Sequence, residues 1–145
     1  MHIEKNVCDS LLGTLLADPH KSKDTDNARR DLAKLGIRHE LHLYEDGNKL
    51  MKPAAEYTFS EANRRKFYHF IISVKFPNGF ASNLSKNIAL NDSQIVGLKS
   101  HDYDVIMQRL LPVGCRSLLS KNISSTIVEL CTFFTTVVCK YSQCF

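Results

Sequence analysis

The sequence predicts a mainly α-helical chain with at most one short β-hairpin. Three observations carry this expectation. Apolar residues recur at spacings of three and four in five segments, the period of helices buried along one side. Most of these segments are bracketed by Asp, Thr or Ser on one end and Gly or Pro on the other, which are helix start and stop signals. Two-residue alternation appears only briefly, near residues 39–44. The core would be incomplete if these apolar faces pack on segments outside the chain.

The first helix is predicted over Ile3–Leu16, ending before Asp18-Pro19, with Ile3, Val7, Cys8, Leu11, Leu12, Leu15 and Leu16 on one stripe. The second runs over Thr25–Leu35, with Asp24 or Thr25 as cap, Gly36 as stop, and a modest stripe of Ala28, Leu32 and Leu35. Next, His39–Tyr44 alternates, Glu45-Asp46-Gly47-Asn48 marks a turn and Lys49–Met51 resumes, so this stretch is either a short hairpin or a loop. Ser60 caps a third helix, Glu61–Lys75, burying Phe67, Phe70, Ile71 and Val74 and exposing Arg64, Arg65 and His69. Residues 78–97 read as an irregular linker. Ser100 caps a fourth helix, with Asp102 and Asp104 in its first turn, a stripe of Tyr103, Ile106, Met107, Leu110 and Leu111, and a break at Pro112. A final helix spans Asn122–Tyr141, with Ile123, Ile127, Leu130, Cys131, Phe134, Val137, Val138 and Tyr141 on one side.

Glu4 interrupts the first stripe near its middle. A carboxylate aimed at a core is costly unless paired, protonated or bound to a cation. Glu4 is therefore either a metal or proton-transfer group, or a first-turn acid that turns to water near the helix dipole. On residue chemistry alone the helix-start acid is the simpler account.

Three blocks carry a family resemblance. Met1-His2-Ile3-Glu4-Lys5-Asn6-Val7, followed by Leu11-Leu12-Gly13-Thr14-Leu15-Leu16, is the first. Lys52-Pro53-Ala54-Ala55-Glu56-Tyr57-Thr58-Phe59-Ser60 is the second, and Val96-Gly97-Leu98-Lys99-Ser100-His101-Asp102-Tyr103 with Met107-Gln108-Arg109-Leu110-Leu111-Pro112-Val113 is the third. In this order they resemble plant CACTA (En/Spm-type) DNA transposases. The resemblance implies a fragment of three parts: 1–19, the terminal helix of the catalytic region; 20–97, a helical connecting region with an irregular linker; and 98–145, the truncated start of an accessory helical domain of unknown function. It further implies an RNase-H-like parent in which three acids hold two Mg²⁺ ions. Glu4 would be the third acid, catalytic and metal-binding in the parent and vestigial here, because the other two would lie upstream. The chain itself is then expected to need no cofactor and to lack catalysis of its own, its contacts being other transposase segments and DNA.

Composition is that of an ordinary single globular domain: 145 residues, 43% hydrophobic and 23% charged. The net charge of +4 tolerates nucleic acid without demanding it. Arg29, Arg30, Arg64, Arg65 and Lys66 are the candidate contacts, for weak, non-specific DNA binding; a solvated helix face is the other account of the same residues. The runner-up to the transposase reading is accordingly a small helical interaction protein that binds a protein partner or nucleic acid. Five cysteines without a Cys-x-x-Cys point to a reducing compartment. No signal leader is recognised at the start, so the expected location is intracellular, nuclear if functional. Ile123–Cys139 contains Glu129 and several Ser and Thr and is shorter than the ~20 residues of a membrane span, so no membrane association is expected.

Other constellations fail on their chemistry. His2-x-Glu4 lacks the downstream Pro-Cys-x-x-Cys of zinc deaminases. His39-x-x-His42 has helical metal spacing in a segment that does not read as a helix. His101 and Asp102 diverge on a helix, and Asp102 reads better as a helix-start acid.

Overall fold

The computed structural model describes residues 2–80, 83–89 and 94–142. Six α-helices and two small antiparallel pairs make up the fold. Helix α1 spans His2–Leu15 and α2 Asp26–Leu35. The hairpin β1 (Tyr44–Asp46) and β2 (Lys49–Met51) follows, then α3, Glu61–Ser73. A second pair, β3 (Ile88–Ala89) and β4 (Gln94–Ile95), precedes α4, Ser100–Val105. A π-helical turn, Ile106–Leu110, links α4 to α5 (Leu111–Leu118), and α6 runs over Lys121–Ser142.

The cap chemistry places several of these boundaries. The Thr25 side chain accepts from the Ala28 amide at 3.1 Å, and Gly36, at φ 67°, closes the other end of α2. Ser60 accepts from the Asn63 amide at 3.2 Å to open α3. Helix α4 opens one residue from the expected cap: Lys99 stands at the N-cap, and Asp102 Oδ2 accepts from its amide at 2.8 Å. Helix α1 ends with Ala17 at φ 55° and a bond from the Asp18 amide to the Gly13 carbonyl, 2.8 Å, which closes the last turn.

One hydrophobic cluster binds the elements together. It draws Cys8, Leu12, Leu15 and Leu16 from the α1 segment, Phe59, Phe67, Tyr68 and Ile71 from around α3, and Tyr103, Ile106, Met107, Leu110, Leu111 and Cys115 from the α4–α5 stretch. Ile127 and Cys131 complete it from α6. Leu84 and Ile88 also enter it, so the stretch read as a linker sends two anchors into the core. Residues 1–19, 20–97 and 98–145 thus all contribute to one cluster.

Several expectations are corrected. Ile3 is exposed, because it lies at the edge of the α1 stripe while Glu4 takes the inward position. Leu35 is exposed, since only the Arg29 side of α2 turns inward. Leu130 lies on the outer side of α6, away from Ile127 and Cys131. Arg64, placed on the exposed side of α3, is half-buried. The second antiparallel pair exceeds the one hairpin expected: the Asn87 side chain donates to the Val96 carbonyl at 2.9 Å, and the Val96 amide donates to the Asn87 carbonyl at 2.8 Å, which clamps two strands too short to show alternation. Pro112 does not end its helix. The Leu111 amide donates to Ile106, five residues back, so the preceding turn widens where the ring would strike a carbonyl. The side chains of Val138 and Tyr141, together with Met1, Asn91 and Cys144, lie outside the described residues. Among the described residues no helix is long and apolar enough to cross a membrane.

Candidate functional site

The inward phase of α1 puts Glu4 against the α4–π stretch, where it is 3% exposed. Asp104 and Gln108, four residues apart, share one face of that stretch. Gln108 Nε2 donates to Glu4 Oε1 at 3.3 Å. Burial raises the Glu4 carboxyl above its ordinary range; the Gln108 bond works against this, and the Asp104 carboxylate adds to it. Two adjacent carboxyls in a desolvated place favour holding a proton between them.

The α1–α4 contact carries further polar groups. Tyr103 Oη donates to Asp9 Oδ1 at 3.1 Å, and Lys21 Nζ donates to the same oxygen at 3.0 Å. Burial first, then the Asp9 charge, pushes the Tyr103 phenol up to about 12. Cys8 Sγ lies 3.7 Å from the Tyr103 carbonyl, and burial raises its thiol strongly. Cys8, Cys115, Cys131 and Cys139 are free, the first three buried, as small hydrophobes would be.

The five candidate basic contacts are dispersed. Arg29 is 1% exposed and does not face solvent. Its Nε and NH2 donate to the two Asp24 oxygens at 2.6 and 2.7 Å, and NH1 donates to the Leu41 carbonyl at 2.7 Å. The Arg29 hydrogen bonds hold the Asp24 carboxyl below its ordinary range, and Lys52 approaches Asp24 at 3.6 Å. This is a structural pair, which removes Arg29 from the contact set. Arg64 lines a cavity of about 100 Å³ with Asp9, Gly13, Lys21 and Tyr68, and its Nε has no hydrogen-bond partner. Arg30, Arg65 and Lys66 are exposed. Arg30 bonds Asn27 at 3.0 Å beside the β1–β2 turn, while Arg65 pairs with Glu61 at 2.7 Å on α3.

The residues do not fit the two-metal centre that the resemblance implies for a complete transposase. Two Mg²⁺ ions ask for several oxygen ligands each. The Glu4 carboxyl instead meets a Gln108 amide nitrogen and one neighbouring acid, in surroundings that favour its proton. Among the described residues no group of three His, Cys, Asp or Glu side chains could hold a metal. His39 and His42 stack edge to face at 4.9 Å, and His42 Nε2 is spent on the Ile37 carbonyl at 2.8 Å.

Sequence reasoning placed Glu4 in the core but missed its partners. The available signal was Asp104-x-x-x-Gln108, a polar pair at helical spacing beside an apolar stripe. No protein-family model, curated protein or solved structure matches the chain.

Proposed function

We propose that the chain is a transposon-derived fragment related to CACTA-type transposases, without catalytic activity of its own. The observation that carries this reading is Glu4: a helix-borne acid, buried on the inward face of α1 and partnered by Gln108 and Asp104. An inward acid on a terminal helix is what the resemblance asks of the third catalytic residue. Here its charge is contained by a proton and an amide, so the helix keeps the acid and the chemistry is gone. Nucleic-acid contact, on this reading nuclear, rests on exposed Arg30, Arg65 and Lys66 and is weak and non-specific.

The test is incubation of the purified chain with supercoiled plasmid and Mg²⁺ or Mn²⁺. The plasmid stays intact, and binding to duplex DNA collapses as salt rises, since phosphate contacts alone supply the affinity. Metal-dependent strand cleavage lost on Glu4→Gln would overturn the reading. Its descent is tested separately, by the matching Glu→Gln change in a full-length active transposase of this type: excision is abolished while the protein stays folded.

The second reading, a helical interaction protein, is favoured by one observation, the apolar outer face of α6 around Phe133.

A further inference from the structure

Helix α6 carries two apolar faces. The inner one, Ile127 and Cys131, belongs to the core. The outer one consists of Thr126, Leu130, Phe133 and Val137, spaced four, three, four, which is the seam of a coiled coil. Phe133 is 59% exposed and Leu130 36%. Phe134 bridges the two faces, packed edge to face on Phe133 and against the core. The threonines do not make the outer surface polar. Thr126, Thr132, Thr135 and Thr136 each donate to the carbonyl four residues back, at 2.8–3.0 Å, so their hydroxyls are satisfied within the helix.

The charges beside the seam say what covers it. Glu129 and Lys140 are exposed and stand about three helical turns apart, hence on the same flank. Against a second copy running antiparallel, a two-fold axis brings equal flanks together. With Phe133 set against Val137 of the second copy, Val137 meets Phe133 in return. That same register carries Glu129 to within one residue of Lys140 of the second copy, twice over by symmetry. A parallel pair would set Glu129 level with Glu129 and Lys140 level with Lys140, on opposite sides of the seam. Seam and charges thus select one arrangement independently.

We propose that the outer face of α6 is a self-association surface, closed by an antiparallel second copy through Phe133, Val137 and reciprocal Glu129–Lys140 pairs. The contact is about three turns long, at the small end of specific interfaces, so the dimer is weak and depends on concentration. It holds whether or not the chain descends from a transposase.

Sedimentation equilibrium of the full chain, with reductant present to keep Cys139 from cross-linking, gives a monomer–dimer equilibrium. Glu129→Lys and Lys140→Glu each weaken it about three- to tenfold, the range expected for exposed charge pairs broken and turned repulsive. The double swap restores it, and Phe133→Ser abolishes it. Thermal melts of the variants as monomers match the parent, because these side chains lie outside the core. A chain that stays monomeric at high micromolar concentration overturns the proposal. A dimer indifferent to both charge reversals, or not rescued by the double swap, overturns it as well.

Discussion

Glu4 and Asp24 are both enclosed acids, yet their surroundings act in opposite directions. The Arg29 guanidinium favours the Asp24 carboxylate, whose folded-state pKa is depressed. Its stabilisation is therefore present above the unfolded value, near 3.9, and is lost as pH falls through the folded value. Burial and Asp104 favour the protonated Glu4, whose folded-state pKa is raised. The folded chain then holds a proton that the unfolded chain has released, so stability falls as pH rises from the ordinary Glu value toward the folded one. Two variants separate the cases in melts taken from pH 3 to pH 8. Asp24→Asn loses about 1–3 kcal/mol at neutral pH by leaving Arg29 without its charge partner, and the loss shrinks in acid. Glu4→Gln melts at or above the parent at neutral pH, and the difference closes in acid. A Glu4→Gln variant that melts well below the parent at pH 7 would mean that the carboxylate form is the one the fold needs. The inward direction of Glu4 was legible from helical phase alone. That Arg29 is buried was not, because its partners Asp24 and the Leu41 carbonyl come from loops on either side of α2, and no local period encodes such a meeting.

At the scale of elements, close approach fixes how α5 lies on α3. A Cβ at Gly114 would stand 2.9 Å from Phe67 Cε2 and 3.0 Å from Cδ2, and Phe67 is fully buried and cannot swing away. Gly114→Ala should cost about 1–3 kcal/mol by overpacking, although alanine is the better helix former. Urea unfolding at constant slope checks it, and a variant as stable as the parent would show that the two helices can separate freely. Helix boundaries were largely readable, because Thr25, Gly36 and Ser60 do local chemistry that sequence records. The two small strand pairs were half readable: Gly47-Asn48 marks a turn at φ 61° for Gly47, while the pair at Ile88 and Ile95 depends on the Asn87 clamp, a contact across nine residues. Which face of α6 is inward was blurred because its apolar residues run nearly all the way round, and period alone cannot rank two faces.

For the whole molecule, the continuity of Ser100–Leu118 matters most, since it touches α1 at one end and α3 and α6 at the other. A helix with a π turn has one residue more than its path requires. Five residues at the wider pitch lag an α-helix by close to the angle of a single position. Tyr103 and Cys115, which would otherwise point apart, therefore both reach the core. The turn is thus slack in angular phase, an insertion absorbed at constant direction of the flanks, and it can be undone. Removing exposed Arg109, together with Pro112→Ala so that a regular turn meets no ring, should leave both flanks in register and the protein folded, with a melting temperature within several degrees of the parent. Removing Thr126 from the regular helix α6 rotates Ile127 and Cys131 out of phase with what precedes them, and that chain should fail to fold cooperatively. Were both deletions equally damaging, the widened turn would be a fixed part of the design and not a tolerated surplus.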